Sequence, residues 1–216
     1  MNKYKKLTAS NDLETWLNNN HFYVIHGTTN FDSLISILKG GKLDKGTNVD
    51  NPEFTILGKR DEISGNIYFD DVKNINGTET FPHTLLFHPR VMFRSKCEFY
   101  AGWGYIGYTP IVIDPYDNLK TIKRKMKKIK KFIIDVKNNP TMMPICYQNV
   151  PGNLLHQIML YTDYIPLTNN LLGIICRGCD EKQINKIKEV ISIHPYRNIY
   201  IQNTVTSLPD FDEINK

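Results

Sequence analysis

Seven short runs rich in β-branched and aromatic residues constrain this chain more than any other feature. They fall at residues 21–25, 67–69, 84–87, 110–114, 157–161, 171–176 and 198–205. Each has the length of a single strand and is set off by Gly, Pro, Asn or Asp. Helical patterns interrupt them irregularly. Asn11 with Glu14 forms an N-cap pair, and Leu13 with Trp16 a short apolar face, which predicts a helix near 11–19. Phe31, Leu34, Ile35 and Leu38 fall at i, i+3, i+4 and i+7, with Gly40-Gly41 as a stop. Leu119, Ile122, Met126, Ile129 and Ile133 make a third stripe over 119–136, ended by Asn138-Asn139-Pro140. Ile184, Ile187, Val190 and Ile191 make a fourth. Strands and helices that do not alternate one for one predict an α+β fold rather than a doubly wound sheet.

The 216 residues suffice for one hydrophobic core, so a single domain over 1–216 is expected. A hydrophobic fraction of 41% with 23% charged residues excludes wholesale disorder. No apolar run reaches the roughly 18–20 residues that span a bilayer. The basic start, Met1 to Lys6, is not followed by the apolar stretch of a secretory signal. Four cysteines are too few for a disulfide framework. These features together imply an intracellular protein, cytoplasmic or nuclear.

The net charge of +5 is unevenly spread. Eight basic residues and no acid lie between 120 and 131, which leaves −3 for the remainder. All eight lie off the apolar stripe of the third helix. A run of like charge on one helix repels itself unless something neutralises it. Lys123, Arg124, Lys127, Lys128 and Lys131 are therefore candidate contacts for nucleic acid or another polyanion. Cys176-Arg177-Gly178-Cys179 has CxxC spacing, but the sequence offers no second CxxC or close His pair. It reads as two structural cysteines with no metal. The glycine and aromatic stretch at 100–105 lacks the Lys-Ser/Thr ending of a phosphate loop.

Three segments carry candidate chemistry in a fixed order. His26-Gly27-Thr28 ends the first strand, and the helix behind it closes with Ile37-Leu38-Lys39-Gly40-Gly41. Gly65-Asn66-Ile67-Tyr68-Phe69 follows, and then His156-Gln157-Ile158-Met159-Leu160-Tyr161. In this order the segments resemble the poly(ADP-ribose) polymerase-like branch of the ADP-ribosyltransferases, over roughly residues 21–176.

The resemblance implies a split, mostly antiparallel sheet core with flanking helices, and NAD as co-substrate. His26 would hydrogen-bond the adenine-side ribose, each ring nitrogen meeting a different partner. Gly27 would offer its backbone to the nicotinamide carboxamide, with Thr28 beside it. Tyr68 would stack on the nicotinamide ring, flanked by Phe69. The family's second sandwiching aromatic falls near Glu79 here, where Phe81 is the closest aromatic.

The sequence departs from the family at its catalytic glutamate, whose position holds Gln157. A glutamine keeps a hydrogen bond to the ribose 2′-hydroxyl but supplies no charge to an oxocarbenium-like transition state. This disfavours polymer elongation. It leaves single ADP-ribose transfer to a protein or nucleic acid, NAD hydrolysis, or a binding module without turnover. Glu98 and Asp163 are the nearest acids that could substitute. An RNA 2′-phosphotransferase-like reading needs pocket arginines, and none of the chain's arginines sits beside His26 in sequence.

Overall fold

The computed structural model describes residues 11–28, 30–45, 62–69, 81–101, 110–138, 156–196 and 198–204. These residues are α+β. In order they form α1 (Asn11–Asn18), β1 (Phe22–Thr28), α2 (Phe31–Gly40), β2 (Lys42–Asp44), β3 (Ile63–Phe69) and β4 (His83–Phe87). A 3-10 turn over Pro89–Phe93 leads to β5 (Cys97–Ala101), β6 (Ile111–Ile113) and α3 (Leu119–Asn138). Last come β7 (His156–Leu160), β8 (Tyr164–Pro166), β9 (Leu171–Arg177), α4 (Glu181–Ile193) and β10 (Tyr200–Thr204). Among the described residues, no helix is long and apolar enough to cross a membrane.

The chain divides into two compact units, each assembled from three separate stretches. The first takes residues 1–24, 64–77 and 89–161. In it β3, β7, β5 and β6 are neighbours in that order. β5 runs antiparallel to both its neighbours. The stripe read from sequence on α3 is the face that packs inward. Ile122, Met126, Ile129 and Ile133 are all buried, and Phe132 meets Phe99 of β5 edge-on at 6.4 Å. A second cluster forms where Phe22 meets Trp16, Phe69 and Phe93 at ring separations of 5.9, 5.6 and 6.5 Å.

The second unit takes residues 25–63, 78–88 and 162–216. Here β10, β9, β4 and β1 are neighbours in that order. β4 and β9 are antiparallel, whereas β10 joins β9 in parallel. β2 and β8 form a small separate antiparallel ladder. α2 starts at Asn30, whose side chain accepts from Ser33 N, and ends at Gly41, which adopts φ 67°. That left-handed conformation favours glycine and explains the stop read from sequence. Tyr196 donates its hydroxyl to the Leu38 carbonyl at 2.8 Å, beside this C-terminus.

Several boundaries differ from expectation. Residues 63–66, read from sequence as the end of a polar loop, open β3. Tyr100 and Ala101, read as loop, end β5. The rest of both loops, 46–61 and 102–105, lies outside the described residues.

Candidate functional site

β1 carries His26, Gly27 and Thr28 into the second unit. His26 and Gly27 are half-buried and Thr28 is buried. The Thr28 hydroxyl stands 3.5 Å from the carbonyl oxygens of both Asn30 and His83. Phe81 lies directly against Gly27. A Cβ placed there would fall 2.3 Å from Phe81 Cδ2 and 2.6 Å from its Cβ. Only glycine admits that ring, so two positions singled out from sequence are in contact.

Tyr68, Phe69 and Gln157 belong to the first unit, on the neighbouring strands β3 and β7. Tyr68 and Phe69 are both buried, and strand alternation puts them on opposite faces of β3. Phe69 packs on Phe22, with Lys130 Nζ 5.7 Å over its ring. Gln157 is 9% exposed, and its side-chain oxygen has no hydrogen-bond partner among the described residues. A buried acceptor left unmatched costs about 1–3 kcal/mol, so its partner matters.

Tyr100 is the register partner of Gln157, and Glu98 that of Met159, so these residues share one sheet face. Glu98 does not stand free for catalysis. Its carboxylate takes hydrogen bonds from the hydroxyls of Tyr100 and of Tyr161, the latter at 2.7 Å, and pairs with Lys96. Burial pushes this carboxyl up, but the Lys96, Tyr100 and Tyr161 donors outweigh burial and hold it below the usual carboxylate range. The same arrangement pushes the Tyr161 phenol up, through burial first and then the neighbouring carboxylate. Asp163, the other acid considered, is exposed and pairs with Lys45 at 2.8 Å.

The basic face of α3 borders a cavity of about 760 Å³ within the first unit. Lys123, Lys127, Lys130 and Lys131 line one side, and Trp16, His21 and Phe69 the other. Among the described residues, no acidic side chain lines it. Lys123, Arg124, Lys127 and Lys128 are exposed, whereas Lys131 approaches Asp135 at 3.6 Å and Lys125 pairs with Asp117. The role of Trp16 in this cavity was not legible. Its spacing reads as core, but only Leu13 and Leu17 of α1 are buried.

Sequence reasoning also missed a neighbour of the CxxC pair. His83 on β4 is the register partner of Cys176, and its Nδ1 lies 3.7 Å from Cys179 Sγ, 96 positions away. Burial pushes both thiols up and the imidazole down. Nothing in local spacing announces a neighbour that arrives through strand pairing.

Residues 19–136 match a family model described as "Family of unknown function (DUF5846)". That is more than half of the 216 residues. The chain belongs to this family. Beyond it, this DUF5846 chain is 29% identical over 229 residues to "Uncharacterized protein R11" of Acanthamoeba polyphaga mimivirus, covering 98% of this chain and 83% of that protein. Three solved structures also align with it, all of DarT from Thermus sp. 2.9. The complex with carba-NAD+ gives a TM-score of 0.47 at 12% identity, over 85% of this chain and 95% of that one. The complex with NAD+ gives 0.48 at 13%, over 85% and 95%. The complex with ADP-ribosylated single-stranded DNA gives 0.46 at 13%, over 87% and 95%. At TM-scores below 0.5, no activity carries over to the DUF5846 chain from this likeness.

Proposed function

We propose that this protein is an NAD-dependent mono-ADP-ribosyltransferase acting on a nucleic acid. The observation that carries the reading is Gln157. It is a buried amide on the strand beside that of Tyr68, and its oxygen lacks a partner among the described residues. A ribose 2′-hydroxyl is a donor of the kind such an acceptor needs. The order of the sequence motifs around His26, Tyr68 and Gln157 supports the same donor, and within the second unit Phe81 lies against Gly27 of the first motif. Phe69 is left to the lysine-lined cavity, which supports a polyanionic acceptor.

In this reading the bond between ribose C1′ and nicotinamide breaks, and its electron pair leaves with nicotinamide. An acceptor oxygen or nitrogen donates a pair to C1′ and loses its proton to water. Tyr68 stacks on the leaving ring, and Gln157 orients the ribose by a hydrogen bond without adding charge. The same neutral amide favours a second reading, a module that binds NAD without turnover.

Labelled NAD offered with single-stranded DNA or RNA tests both. Transfer of label to the nucleic acid with nicotinamide release is expected. Gln157→Glu should raise the rate about ten-fold or more, since a carboxylate adds the missing electrostatic stabilisation. NAD binding without nicotinamide release, in both native chain and variant, would leave the binding module. Absence of NAD binding would end both readings.

A further inference from the structure

We propose that His83, Cys176 and Cys179 form a binding site for one zinc ion, with a fourth coordination position left to water. The three side chains are all buried, and their ligand atoms lie within 4.8 Å of one another. Strand pairing and one turn bring them together. His83 and Cys176 face each other across the β4–β9 ladder. Gly178 at φ 70° then reverses the chain and returns Cys179 to the same spot. All three belong to the second unit.

The spacing suits a metal. In a tetrahedral zinc site with Zn–S of about 2.3 Å and Zn–N of about 2.0–2.1 Å, ligand atoms stand roughly 3.5–3.8 Å apart. The separation of 3.7 Å between Cys179 Sγ and His83 Nδ1 already has that length. A disulfide would use only the two sulfurs, at about 2.05 Å, and would give the imidazole no part.

The charges suit it too. Two thiolates balance the ion and the imidazole remains neutral, so the buried complex carries no net charge. The two thiol protons leave to solvent as the metal enters. Two thiolates and one imidazole form a soft donor set of the kind zinc accepts, whereas magnesium and calcium prefer oxygen. His83 and Cys179 are buried but each keeps 6% of its surface exposed.

The surroundings fix the ligands independently of any ion. Phe31 packs edge-on to the His83 ring at 5.7 Å. Asn203 donates to the Cys179 carbonyl at 2.8 Å, and Asp180 caps α4 immediately after the second cysteine. Bound zinc would therefore pin β4, β9 and the start of α4 to one point.

The test is metal uptake by the reduced full chain, which needs no catalytic readout and is independent of the NAD reading. After chelator treatment and return to zinc sulfate, elemental analysis should find about one zinc per chain. Cobalt in its place should give a thiolate-to-cobalt charge-transfer band. Cys179→Ser and His83→Ala should each weaken zinc affinity at least ten-fold by chelator competition and, for Cys179→Ser, diminish the band. Cys97→Ser, at a buried thiol of the first unit, should change neither. Less than a tenth of an equivalent of zinc in the reduced native chain would overturn the proposal, whatever the variants do. Equal loss in Cys97→Ser and Cys179→Ser would also overturn it.

Discussion

At Glu98 three donors converge on one carboxylate. Its folded pKa lies below the ordinary carboxylate value, so the unfolded chain binds the proton more tightly than the folded one. The resulting stability is fully present above the unfolded pKa and is lost as pH falls through the folded one. Glu98→Gln should lower unfolding stability at neutral pH by about 2 kcal/mol, in the range for a hydrogen bond to a charged group. The difference should shrink as pH falls below about 4. Denaturant titrations of both chains across that range check it, and a gap that does not change with pH would contradict the assignment. From sequence, Glu98 was one of two acids that could substitute for the family's glutamate; its engagement was not legible, because Tyr161, 63 positions away, reaches it only through the pairing of β5 with β7. By contrast, the contact of Gly27 with Phe81 joins two positions that the family resemblance had already singled out.

Helices with a full period were readable, and so was three-residue β6, whose apolar run is set off by Pro110 and Asp114. Among the described residues, the four helices stand near where their apolar spacing placed them, because a buried stripe needs several turns to repeat. β2 and β8 have three residues each, too few to show alternation, and exist as a mutual pair between Lys42 and Pro166. β5 was obscured at its end by the glycines that follow Tyr100. α2 sets the exit of the His26 strand through its cap, since Asn30 Oδ1 accepts from Ser33 N at 2.8 Å. Asn30→Ala should destabilise the fold by about 1 kcal/mol, whereas Asn30→Asp should preserve most of it. Thermal unfolding of the two variants separates the cap from simple loss of a polar side chain.

For the molecule as a whole, charge is the property that elements alone do not explain. A net +5 divides into eight cations on one stretch of α3 and a remainder of −3. Pairing removes Lys125 and engages Lys131, but leaves Lys123, Arg124, Lys127 and Lys128 exposed without an acidic partner among the described residues. A single-stranded nucleic acid that meets these four releases its condensed counterions. The logarithm of its affinity should then fall against the logarithm of salt with a slope of roughly −3, from about 0.7 per neutralised phosphate. Changing all four to glutamine should flatten that slope toward zero and weaken binding at low salt by well over ten-fold. The apolar stripe lies on the opposite face, so the variant should keep its unfolding midpoint. Fluorescence titrations of a labelled oligonucleotide from low to physiological salt read the slope directly. A slope equally steep in the four-fold variant would move the docking surface away from α3.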